Sequence, residues 1–297
     1  MTVTGQVDRP VSAPAALSTR RRRTRAGVSA LDRGFMGSAL LAGPANVIMQ
    51  LSQPAVGYGV MESRVESGRV DLHPIKRART TFTYLAVATR GSEDQKAAFR
   101  RGVNRAHAQV YSLPDSPVSY NAFDPTLQMW VAACLYKGAV DVYRLFVGEM
   151  DDEIADAHYR EGMVLGTTLQ VPPEMWPKDR AAFDEYWQNS LAQVHIDDAV
   201  RAYLYPIAAA RIALPVPRVI RRPLEAFSLL ITTGFLPQRF RDEMRLPWDA
   251  RHQRWFDRVI GAVRFVNKLM PKFVREFPFN VLLVDLNWRM RTGRRLV

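Results

Sequence analysis

Apolar residues in this chain recur three and four positions apart between sharply marked breaks, and that period most constrains what the chain can fold into. Phe99, Val103, Ala106 and Val110 keep it after Gly91-Ser92-Glu93-Asp94-Gln95, where Ser92 is placed to cap a helix and Gln95 to return the bond. Leu127, Val131, Leu135 and Val142 keep it again after Asp124-Pro125, an acidic cap with proline in the first turn, on a segment reaching Phe146. Asp71-Leu72-His73-Pro74 opens a further segment through Thr89, Asp151 another, and Asp179 a long or broken one reaching Tyr203. Short apolar helical pieces are expected over 34–41 and 44–53, and a final helix over 250–269. Pro172-Pro173, Pro206, Pro215 and Pro217 punctuate the pattern. Only isolated pieces, chiefly 279–286, read as strand-like. The fold class is therefore all-α, and no tandem repeat is present.

A chain of 297 residues, 47% of them hydrophobic, can bury one large core, so a single multi-helix domain over 29–297 is expected. Residues 1–28 mix Pro, Ser, Ala and Arg without a period and read as a disordered basic tail. Arg20-Arg21-Arg22-Arg23 is superficially like a twin-arginine export signal, but Asp32 and Arg33 interrupt the apolar stretch that follows. The richest apolar stretches, 34–61 and 204–235, are broken by Pro, Gly or Arg, so no membrane-spanning helix is expected. Cys134, the sole cysteine, reads as a small core residue, and the absence of an internal disulfide suits a cytoplasmic location.

The formal charge of +12 belongs to the ends. Residues 1–30 carry six Arg against one Asp, and residues 218–297 carry 17 Arg and Lys against seven acids, leaving the middle slightly acidic. Such fields attract phosphate-rich partners, nucleic acid or the anionic surface of a membrane, and charge alone does not choose between them. Without zinc-finger spacing or an RNA-recognition signature, sequence-specific nucleic-acid binding is not expected. Peripheral membrane contact stays open.

No GxGxxG, GxxxxGK[ST] or GxSxG motif is present, which removes the usual geometry of dinucleotide, P-loop and hydrolase-elbow sites. Neither HExxH nor a pair of ExxH helices occurs, which disfavours a carboxylate-bridged di-iron centre. Of the five histidines, His73 reads as a local hydrogen-bonding residue at a helix entrance, and His158, His195 and His252 as surface or packing residues. His107 lies within a helix beside its apolar stripe, where one ring nitrogen could hold a metal while the other is oriented by an acceptor; a satisfied core histidine would look the same. Arg77 and Thr81, one turn apart, put a cationic fork and a hydroxyl on one helix face. A structural salt bridge and helix back-bonding are the plainer reading of that pair.

Four stretches, in order, carry a family resemblance: DRGFMGSALLAGPANVIMQLSQPAVGYGV, RARTTFTYLAVATRGSEDQKAAFRRGVNRAHAQV, YNAFDPTLQMWVAACLYKGAVDVYRLFVG and LPWDARHQRWFDRV, across roughly residues 32–270. The chain resembles the domain shared by bacterial rubber oxygenases, or latex clearing proteins, and the fungal membrane-associated oxygenases of mycophenolic acid biosynthesis. The resemblance implies an all-α fold with a buried cavity for haem b, its iron bound by a proximal histidine. His107, in VNRAHAQV, is the matching residue. Arg77 and Thr81 match the distal Arg and Thr, shaping the face turned to dioxygen and substrate. Glu62 falls near an acidic residue proposed as base in the rubber enzymes.

Two positions depart from the pattern. Thr80 stands where the rubber enzymes carry a Lys that can cap the iron, and Ala132 stands where many family members carry His. Polyisoprene is therefore a doubtful substrate, and a different resting state is expected. The function implied is a haem-b-dependent oxygenase or oxidoreductase using dioxygen on a hydrophobic, unsaturated small molecule. A non-catalytic haem carrier or sensor would keep His107; a basic peripheral membrane protein would only pack it.

Overall fold

The computed structural model describes residues 29–65, 69–70, 72–211 and 217–297. The expected tail at 1–28, Asp71 and Pro215 lie outside them. The described residues form one all-α domain without a strand; its sole β-type pairing is an isolated bridge between Tyr111 and Asn121.

The centre of the fold is α5 (Pro125–Phe146), capped by the Asp124 carboxylate on the Thr126 N–H at 2.8 Å, as its sequence predicts. Its buried residues, among them Met129, Trp130, Ala133, Tyr136, Val140 and Phe146, lie on more than one side, because other elements cover it all round. Those elements are α1 (Gly43–Leu51), α6 (Asp152–Gly162), α7 (Val164–Thr167), α12 (Ala250–Leu269) and the 3-10 turns Leu31–Gly34 and Gly37–Ala42. The approach of α1 is close: Asn46 Nδ2 donates to the Cys134 carbonyl at 2.7 Å, and the missing side chain of Gly138 makes room for it. Cys134 is fully buried, as expected.

α2 (Pro54–Met61) and α9 (Asp198–Ala208) pack beside α1, and α10 (Arg218–Phe235) lies against α12. α8 (Arg180–Leu191) contributes Phe183 and Trp187 to the core, and α11 (Gln238–Met244) contributes Phe240. On the other side, α3 (Pro74–Arg90) meets α4 (Glu93–His107) and α14 (Phe279–Arg291), with the single turn α13 (Lys272–Arg275) leading into α14. The reciprocal cap at Ser92 and Gln95 forms as the sequence predicts.

Several expectations change. Residues 279–286 are helical, not strand-like: Phe279, Leu282 and Leu286 are buried at helical spacing, so the short apolar run packs as one helix face. Pro206 lies inside α9, which continues to Ala208. The segment from Asp179 to Tyr203, expected as one long or broken helix, is the broken form: two helices separated by 192–197. His107 is the last residue of α4 rather than an interior one, since Val110 falls beyond the helix end.

Burial of Asp141 on α5 pushes its carboxyl up to about 6, against the lowering effect of Lys137 and Arg144. Between its ordinary value of 3.8 and about 6, the folded state holds more protons than the unfolded one, so stability falls as pH rises through that window. Asp141→Asn is therefore expected to stabilise the protein at neutral pH by up to about 3 kcal/mol and to change little below about pH 4. Urea titrations at the two pH values check this; equal effects at both would contradict it.

Candidate functional site

Three of the four residues singled out above stand on adjoining helices. Arg77 is on the second turn of α3, Thr81 lies one turn further on, and His107 ends α4, which packs against α3. Phe123 meets the His107 ring edge to face at 6.2 Å. The imidazole is mostly buried, and its Nδ1 has no hydrogen-bond partner. Burial first, and the charge of Arg77 second, push its pKa down to about 4, so the ring is neutral at physiological pH with a lone pair available.

Arg77 is the second unusual group. Burial lowers its pKa, opposed by Tyr203 of α9, and it makes no ion pair among the described residues. A salt bridge of Arg77 is therefore not found among the described residues. Thr81 does follow the plainer reading: its hydroxyl donates to the Arg77 carbonyl at 3.1 Å, leaving its oxygen as an acceptor. Thr80 is buried and donates likewise to Lys76 at 3.0 Å.

Glu62 belongs to a different arrangement. It caps the end of α2, and the Tyr120 hydroxyl donates to its Oε2 at 2.9 Å. Burial and this carboxylate push the Tyr120 pKa up to about 12, fixing the phenol as a donor. Beside it, Tyr58 donates to Asp197 at 2.6 Å. The causes that lower the His107 pKa are burial and Arg77, and Glu62 is not among them.

The remaining histidines sort clearly. His73 is exposed and makes no side-chain cap bond, so the local role expected of it is absent. His158 is fully buried between Tyr136 and Tyr143, a packing residue whose charged form burial disfavours. His195 is exposed near Glu243, and His252 lies against Asp249 and Trp248.

Sequence reading missed the polar ladder beside α4. Gln128 Nε2 donates to Gln170 Oε1 at 2.6 Å, and Gln170 Nε2 to Asn104 Oδ1 at 3.0 Å, one turn before His107. Asn104 lies within a quoted motif, but Gln170, like Tyr203, is brought in by the fold from far along the chain. Two clefts lie elsewhere: one of about 410 Å³ lined by Asp198, Arg201, Tyr205, Arg211 and Arg245, and one of about 180 Å³ beside Trp130 and Tyr186.

Among the described residues, no three His, Cys, Asp or Glu side chains are grouped to hold a metal ion. His107 offers one imidazole, and among the described residues no cluster supplies further ligands. The orphaned Nδ1, the neutral ring and a buried cation with no ion pair among the described residues fit a metal-holding prosthetic group.

The chain belongs to the family described as ER-bound oxygenase mpaB/B'/rubber oxygenase, catalytic domain, which residues 33–265 match. Over 258 residues it is 50% identical to an uncharacterised protein of Mycobacterium bovis and to one of Mycobacterium tuberculosis, a match covering 87% of this chain and 100% of each relative. No solved structure matches it.

Proposed function

We propose that this chain is a haem-b-dependent oxygenase or oxidoreductase that uses dioxygen on a hydrophobic, unsaturated organic substrate. The observation that carries the reading is the buried, neutral His107, whose Nδ1 has no partner. When bound, haem b supplies redox-active iron for chemistry with dioxygen. His107 holds that group by a ring nitrogen. Arg77 contributes a fixed positive charge that no carboxylate among the described residues neutralises, suited to stabilising negative charge that develops on oxygen. Thr81 offers an oxygen that accepts a hydrogen bond, because its own proton is spent on the helix backbone. Glu62, the candidate base that the family resemblance offers, accepts the Tyr120 hydroxyl at Oε2. The family described for residues 33–265 supports the oxygenase class, and the lone buried thiol of Cys134 suits work in a reducing cytoplasm.

The test is oxygen uptake by the haem-reconstituted protein across a panel of lipid and terpene alkenes. Alkene-dependent uptake is expected, and Arg77→Met is expected to slow it by about a hundredfold while the Soret band persists. The substitution should leave stability unchanged or raise it, since it removes a buried cation without an ion pair. A Soret band without alkene-dependent uptake overturns the enzyme reading in favour of a carrier or sensor.

A further inference from the structure

More than half of the large hydrophobic residues exposed among the described residues fall between Trp255 and Trp288. The run is concentrated along the chain, and the end of α12 and the link through α13 share a neighbour: Asn267 donates to Ser38, and the Phe277 and Arg275 carbonyls lie against Gly37. Such a concentration marks an interaction surface, whereas scattered exposed side chains need no explanation. The patch follows from helix geometry. On α14, Phe279, Leu282 and Leu286 turn into the core, so Val281, Val284 and Trp288, at the same spacing, occupy the opposite face. On α12, Phe256 and Ile260 are buried while Phe265 and Leu269 face outward, and the link through α13 adds Phe273 and Phe277. Leu269 and Phe273 are each 69% exposed.

The charge along the C-terminal part of this patch is mainly positive. Residues 268–297 carry seven Lys and Arg against two acids. Both acids are already engaged, Glu276 by Arg90 and Lys272 and Asp285 by Arg289. Lys268, Lys272, Arg291, Arg294 and Arg295 are left exposed, and Arg294 covers the Trp288 ring at 4.3 Å. Apolar side chains with interleaved Trp and long cationic stems match the boundary between lipid headgroups and acyl chains. No described helix is long and apolar enough to cross a membrane, so contact in the plane of the surface is the mode this geometry allows.

We propose that the outer face of α12, α13 and α14 docks on an anionic lipid surface. A second copy of the chain fits poorly, because a self-complementary contact would bring the two cationic faces together. The chain's own residues 1–30 fit no better, with six Arg against one Asp. Most of the surface lies beyond residue 265, where the family match ends. It rests on neither haem nor catalysis.

Co-sedimentation of the full chain with vesicles tests this. Binding to phosphatidylcholine containing phosphatidylglycerol is expected to exceed binding to pure phosphatidylcholine by at least about tenfold at low salt, and to fall as salt is raised. Leu269→Ser combined with Phe273→Ser, both at exposed positions, should weaken anionic-vesicle binding by about tenfold or more with an unchanged melting temperature. Leu113→Ser, an exposed position away from the patch, should leave binding unchanged. Equal binding to both vesicle types, undiminished binding by the double variant, or a dimer in light scattering that the double variant abolishes would each overturn the proposal.

Discussion

His107→Ala is expected to weaken haem binding by more than about a hundredfold, since removing a group that merely orients a metal ligand already costs ten- to a hundredfold. The variant should fold. It deletes a ring at a helix end whose Nδ1 was already unsatisfied, and the packing lost against Phe123 is that of one ring edge. Haem titration followed at the Soret band, with circular dichroism as the check on folding, reads the effect. His73→Ala and His195→Ala, at exposed positions, should keep the band of the unaltered protein. Added imidazole should restore part of the band to His107→Ala, because the vacated space is lined for that ring. A variant that folds and binds haem with unaltered affinity would remove His107 as the ligand, and with it the proposed function.

Local signals carried most of the fold. The ends of α5 and α12 coincide with their sequence boundaries because each start is set by an Asp cap, a contact between residues two or three apart. The same holds for Ser92 with Gln95. The run at 279–286 defeated periodicity because a short apolar segment looks alike as strand or helix until its neighbour is known, and that neighbour, α3, lies some 200 residues earlier. The site divides in the same way. Arg77 and Thr81 were paired by spacing, and motifs pointed to His107. What fixes their character is long-range: Tyr203 facing Arg77, Arg77 depressing His107, and Tyr120 claiming Glu62. That Arg77 has no ion-pair partner among the described residues has no local signature, since it depends on which groups the fold leaves out.

The two departures from the family pattern are both absorbed by packing, which leads to the second large prediction. Thr80 is buried with its hydroxyl turned back on its own helix. Ala132 is 1% exposed, and its Cβ stands 3.2 Å from the point where a Cβ on Gly166 would lie, with Val171 closing the same space at 3.1 Å. Small residues at 132 and 166 are what let α7 lie against α5. An imidazole at 132 has no such space, so it must displace α7, at about 1–3 kcal/mol for overpacking. It must also bury ring nitrogens without partners, at a further 1–3 kcal/mol or so. Ala132→His is therefore expected to destabilise the protein by about 4 kcal/mol, read from urea denaturation, and to leave the position of the haem band unchanged because no second imidazole reaches the site. A variant as stable as the unaltered protein, or one with a shifted band, would show that α7 yields readily and that the family's His position is still open here. If the loss appears instead, the absence of His at 132 is built into the contact between α5 and α7.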